Sequence, residues 1–248
     1  MVAPGVGSHE EYPMSLPRCF VWLPLPLCLL LAVLVAPFTA PADVVIKDVS
    51  QHKPLVLDQP ENYVLKNVRV TGVKDGAALS LRGTIRSLSI ENGKFGDITA
   101  GENNKAAAME SVGASVGSLR VTDTAFYDAQ NQLVSLRDGS FGSVTFLHCS
   151  FKNSEAFLKR IYTANSWRTT PPVTEFYNID RLELLDNDFA NTTIIIHPSV
   201  KTVVLRGDVS KLTVESPGTQ VIHLNPGEKP PFRIPGADSV VLALAPRK

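Results

Sequence analysis

Residues 85–95 (IRSLSIENGKF) carry a pattern that returns in register along the chain, and this recurrence limits the fold more than any other feature. Further copies read 116–126 (VGSLRVTDTAF), 141–151 (FGSVTFLHCSF) and 179–189 (IDRLELLDNDF), with weaker ones starting at Leu65, Val200 and Ala237. Each runs apolar, two polar residues, apolar-x-apolar, a small polar turn, and often Phe. Spacing between copies varies above a minimum of about 20 residues, as expected when a common structural pass carries loops of different length.

The fourth and sixth positions of each copy are apolar, for example Leu88 and Ile90, Leu119 and Val121, Val144 and Phe146, Leu182 and Leu184. Alternation with period two predicts strands buried on one face. A second short strand is predicted after most copies, at 79–81, 133–136, 193–196 and 212–214, and two more, at 44–46 and 54–57, precede the first good copy. A unit of short strands that cannot bury its own inner face, repeated so that each pass covers its neighbour, is a solenoid. The predicted class is all-β, a right-handed single-stranded parallel β-helix of about seven coils, the hand following the general preference of parallel crossovers. Equivalent residues then stack. Phe95, Phe126, Phe151 and Phe189 form an internal ladder, and Asn92, Asp123, His148 and Asp186 line one tight turn. The alternative is a leucine-rich repeat, whose L-x-x-L-x-L-x-x-N-x-L template overlaps this one, with Asn187 at the asparagine position. Residues 104–112 (NKAAAMESV) are the one stretch expected to form a helical turn or two.

Residues 1–42 read as a secretory signal peptide. Arg18 precedes an apolar run that begins at Phe20, and Ala40-Pro41-Ala42 offers an A-x-A cleavage site before Asp43. Interrupted by Pro24, Pro26 and Pro37, the run is too short for a membrane span of about 20 residues. The expectation is a secreted or periplasmic protein with no membrane span after cleavage, and one β-helix domain over 43–248. The chain has 24 basic and 24 acidic residues; removing Arg18, Glu10 and Glu11 with the leader leaves +1. Such a balance argues against bulk nucleic-acid binding. Cys149 is the one cysteine beyond the leader, so packing rather than disulfides holds the domain, and a small buried residue beside a turn is its expected role.

No glycine-rich phosphate loop, nucleophile elbow or cysteine-histidine metal spacing occurs. The longest interruption of the repeat, between Phe151 and Ile179, gathers Lys159, Arg160, Tyr162, Trp167 and Arg168. Cations pair with carboxylates and flat rings offer stacking surfaces, so these five form the candidate contact set for an acidic sugar. The competing reading has Phe157 and Ile161 pinning the insertion to the solenoid, with its charges solvated. Asp180, Glu183, Asp186 and Asp188 crowd one repeat, where outward members suit calcium and a solvated face is the stronger reading; no other cofactor is suggested. His148 and Asp186 share one repeat position in adjacent coils, and a structural turn is expected there rather than a catalytic pair.

Around 148–154 (HCSFKNS) and 185–191 (LDNDFAN) the turn-bearing repeats resemble those of parallel β-helix polysaccharide lyases of the chondroitinase B and alginate lyase type. The resemblance spans roughly residues 64–209. It implies a β-helix acting on a uronate-containing polysaccharide such as alginate by β-elimination, with a lysine base, an arginine, and calcium held by Asn and Glu. That catalytic motif is not recognisable in this chain, and the chain beyond the leader is much shorter than a full lyase. The resulting expectation is an exported protein that binds, and as a lyase would cleave, an acidic polysaccharide; a non-catalytic surface or structural solenoid that docks a protein is the alternative.

Overall fold

The computed structural model describes residues 42–101, 105–164, 172–207 and 221–223. Residues 1–41 of the expected signal peptide, Trp167 and Arg168, the strand expected at 212–214 and the copy at Ala237 lie outside them.

The period-two segments become strands, and every described strand pairing is parallel. Three stacks result. The first runs β1 (Asp43–Lys47), β4 (Asn62–Lys66), β6 (Gly76–Glu91), β8 (Ala106–Thr122), β11 (Gly139–Leu147), β14 (Ile179–Leu185), β17 (Thr202–Arg206) and β18 (Val221–His223). A separate six-stranded sheet stacks β2 (Ser50–Gln51), β5 (Arg69–Thr71), β7 (Lys94–Ile98), β9 (Ala125–Ala129), β12 (Ser150–Lys152) and β15 (Asp188–Ala190). The third stack joins β3 (Leu55–Leu57), the first halves of β6 and β8, β10 (Gln132–Leu136), β13 (Val173–Phe176) and β16 (Thr193–Ile196). Each strand therefore pairs with its counterpart one pass further along the chain. The molecule is mostly β with parallel sheets, an arrangement compatible with a parallel β-helix or another solenoid, and the second half of each pass is strand where a leucine-rich repeat would supply helix.

Register explains the repeat. Val44, Tyr63, Leu88, Leu119, Val144, Leu182 and Val203 pair in one column, and Ile46, Leu65, Ile90, Val121, Phe146, Leu184 and Leu205 in another. From Tyr63 and Leu65 onward both columns are buried in one continuous core. The weak copy placed at Leu65 is corrected: Val68 and Val70 do not align with Leu88 and Ile90. Tyr63 and Leu65 hold those positions, and Val70 pairs with Phe95 in the six-stranded sheet. Val68-Arg69-Val70 imitates the apolar-x-apolar core but follows the turn rather than preceding it.

The phenylalanine ladder forms as expected. Phe95, Phe126, Phe151 and Phe189 pair in register and stack at centroid separations of 5.8, 5.4 and 5.2 Å. Each apolar pass ends in a left-handed residue: Asp48, Asn67, Asn92, Asp123, His148 and Asp186 all have φ between 49 and 55°. Asn and Asp tolerate this conformation better than other side chains with a Cβ, which is why the repeat needs a small polar residue there. Asn92 Nδ2 donates to Asn67 Oδ1 and Asn67 Nδ2 to Asp48 Oδ1, both at 2.8 Å, tying successive turns together.

Two expectations fail. Residues 106–112, expected to turn helically, belong to strand β8, because Ala107 and Met109 fill rungs paired to Ala77 and Leu79 and stacking overrides alanine's helix preference. The stretch between Phe151 and Ile179, where no helix was expected, contains one, α1 (Glu155–Ala164), together with strand β13.

Candidate functional site

The insertion is locked to the stacked strands at its start. Ser154 caps α1, its Oγ accepting from the Phe157 N–H at 3.2 Å, while Asp128 accepts from both Ser154 N–H (2.7 Å) and Ser154 Oγ (3.0 Å). Phe157 and Ile161, spaced four apart on one helix face, are 4 % and 3 % exposed. Arg160 lies over the Phe157 ring at 5.0 Å and donates to Asp97 Oδ1 at 3.3 Å, so its charge is turned toward the scaffold. Lys159 and Tyr162 are left on the other side with Glu155, Leu158 and Thr163, around a wide, largely apolar depression of about 480 Å³. Of the five sequence-predicted contact residues, the described structure brings Lys159 and Tyr162 together and commits Arg160 elsewhere.

The four carboxylates considered for calcium meet separate cations instead of one centre. Asp180 pairs with Lys201 at 2.6 Å, Glu183 with Arg181 at 2.8 Å, Asp186 with Arg206, and Asp188 with Lys152. Among the described residues no three metal-ligating side chains cluster. His148 stands between two carboxylates of adjacent passes, with Nδ1 3.6 Å from Asp123 Oδ1 and Nε2 3.8 Å from Asp186 Oδ2. Its ring belongs to the left-handed turn column.

A second concavity has no counterpart among the sequence expectations. On the outer side of the third stack, Ser80, Glu110, Ser135 and Glu175 occupy one register row on successive passes. Ser80 Oγ donates to Glu110 Oε1 at 3.3 Å and Ser135 Oγ to Glu175 Oε2 at 3.4 Å; Arg82 Nε donates to Ser80 Oγ at 3.3 Å. Beside this row the residues following Leu136, Phe176 and Ile196 form a second column. Arg137 lies 5.8 Å over the Tyr177 ring, and Tyr177 stacks on His197 at 4.4 Å and 17°. A groove of about 370 Å³ opens here, with Lys105, Glu110, Gln132, Ser135 and Arg137 on its walls. With Asp138, Asn131 and Ser111 also on its walls, it offers two cations, two carboxylates, two amides and two hydroxyls, and the Tyr177 ring lies beside it under Arg137. Such a set can pair a ligand carboxylate and hydrogen-bond several hydroxyls at once.

The groove escaped sequence reading because its members come from separate passes, each contributing one or two residues with no local motif. Only the register brings them together. Comparison with protein-family models, with curated proteins and with solved structures finds no match in any of the three. No helix among the described residues is long and apolar enough to cross a membrane.

Proposed function

We propose that this chain is an exported, right-handed single-stranded parallel β-helix that binds a uronate-containing polysaccharide along the outer face of its third stack. The observation that carries the reading is the groove itself, in which Lys105 and Arg137 stand among the carboxylates of Glu110 and Asp138 and the amides of Asn131 and Gln132, with Arg137 over the Tyr177 ring. Arg137, with its planar fork over an aromatic face, suits a sugar carboxylate; the acidic and amide groups suit ring hydroxyls. Successive sugars would follow the stacking direction, where strands repeat about every 4.8 Å. Lys159 and Tyr162 on α1, beside a more open depression, are the alternative location for the same class of ligand.

The test is binding of alginate, pectate and chondroitin oligosaccharides by calorimetry. Arg137→Ala and Lys105→Ala should each weaken binding by about tenfold or more, the scale of one lost charge-assisted hydrogen bond. Lys159→Ala should change it little. Loss on Lys159→Ala alone moves the site to the helix, and silence toward every polyuronate removes the proposal. Release of an unsaturated, ultraviolet-absorbing product would add β-elimination to binding. A non-catalytic solenoid that docks a protein is the second reading, favoured by the half-buried Leu158 and Tyr162 that line the apolar depression on α1.

A further inference from the structure

Among the described residues, the first pass ends the stack with an edge that no strand covers. β1 is the terminal strand of its sheet, and nothing among the described residues pairs with its outer side. Val44 belongs to an interior column yet is 38 % exposed, whereas its register partner Tyr63 is 5 % exposed. Val45 and Val56, also on this pass, are 56 % and 40 % exposed. Apolar surface and backbone groups that no described strand pairs therefore coincide at one end, the combination that sheet proteins normally blunt or cover.

Direction of the backbone groups follows from one bond. The Asp48 N–H donates to the Lys66 carbonyl at 2.9 Å, so by the alternation of a parallel pair the N–H and C=O groups of Val44 and Ile46 face β4. Those of Asp43, Val45 and Lys47 face the open edge. The outward side chains of the strand are then an acid at its start, an apolar residue at its centre and a base at its end.

We infer that β1 pairs with β1 of a second copy, antiparallel, about a twofold axis normal to the sheet through Val45. In that register Asp43 stands opposite the second copy's Lys47, Val45 opposite the second copy's Val45, and Lys47 opposite the second copy's Asp43. All three are hydrogen-bonded pairs, because the groups of those three residues are the ones pointing outward. The two charge pairs lie directly across from each other on the solvent side. Val44 meets the second copy's Ile46 on the inner side, extending the core columns across the junction. The contact is isologous and closes at two copies, so it removes the edge without building a filament.

Sedimentation velocity of the purified chain over a concentration series tests the pairing. Wild type should follow a monomer–dimer equilibrium. Asp43→Lys sets two cations against each other at each end of the junction, and Lys47→Asp sets two carboxylates there. Each variant alone should stay monomeric where wild type is dimeric, and an equimolar mixture of the two should regain the dimer, since the mixed pair is again opposite in charge at both positions. Val45→Lys, which places like charges on the axis, should be monomeric alone. Circular dichroism matching wild type shows that each variant is folded; a variant that is not folded leaves the other two to decide. Wild type monomeric throughout, dimers indifferent to all substitutions, mixtures no more associated than their components, or open-ended oligomers would each overturn the proposal.

Discussion

Cys149 shows how a single side chain is governed by the rung it occupies. It is 1 % exposed, its N–H donates to Asn187 Oδ1 at 2.7 Å, and its thiol lies 3.5 Å from the Val121 and Leu147 carbonyls. Burial pushes its pKa from 9.0 up to about 12, with the backbone hydrogen bonds opposing the shift. Between those values the folded chain keeps a proton that the unfolded chain releases. Folding stability should therefore decline as pH rises above about 9, and Cys149→Ser should flatten that decline in denaturant melts at pH 8 and pH 10. Native protein at pH 8 should leave the thiol untouched by a maleimide, while urea-unfolded protein should label fully. A buried small residue was legible here because Cys149 follows the turn position His148 and precedes the ladder residue Phe151 by two. Phe126 is the stronger case. It stacks on Phe95 and on Phe151 and meets Phe146 edge-on at 6.0 Å, so no single neighbour can relax into the space it leaves. Phe126→Ala should cost about 3–5 kcal/mol, measured by equilibrium unfolding.

Elements register what a repeat can and cannot announce. Strands of the first stack were readable because period two and recurrence agree, and the ladder was readable because Phe falls at one offset in four copies. Helix α1 was not. Its ten residues carry an amphipathic face through Phe157 and Ile161, but the capping signal Ser154 acts together with Asp128, which lies on another pass. Ser154→Ala removes the cap and the hydroxyl donor to Asp128 together, and should destabilise the helix by about 1 kcal/mol. Arg160→Ala should cost less than about 1 kcal/mol, since Arg160 and Asp97 are both more than half exposed. Comparing the two variants by amide exchange within 155–164 checks the order; a larger effect from Arg160 would mean that the helix is held by its side and not by its start. Glycine has an element-level role at one corner. A Cβ on Gly142 would stand 2.5 Å from the Gly117 carbonyl oxygen, and one on Gly117 2.6 Å from that of Arg86. Both lie where the chain enters the first stack, so the G-S that opens two of the copies records close approach of successive passes rather than a turn.

Across the whole molecule, each pass contacts chiefly the one before and the one after, so stability is a sum of local terms coupled between neighbours. That architecture explains why the core was visible in the sequence and the groove was not. Core residues repeat because every pass solves the same packing problem, whereas Lys105, Gln132 and Arg137 of the groove come from two adjacent passes and have no counterparts at the same positions of the other copies. The same coupling predicts graded opening. Amides in β7, β9 and β12, around the Phe95, Phe126 and Phe151 stack, should exchange only through global unfolding, while those of β1 and β3, covered on one side, should exchange through fraying. Ile46→Ala should then speed exchange in β1 and β3 with little change in β9, whereas Phe126→Ala should speed exchange in every pass. If both substitutions lower protection uniformly, the passes unfold as one cooperative block and the nearest-neighbour description is wrong. If Ile46→Ala acts locally only in dilute protein and loses that effect at high concentration, the first pass is covered there by a second copy, and the thermodynamic edge of the strand stack lies within the dimer rather than at β1.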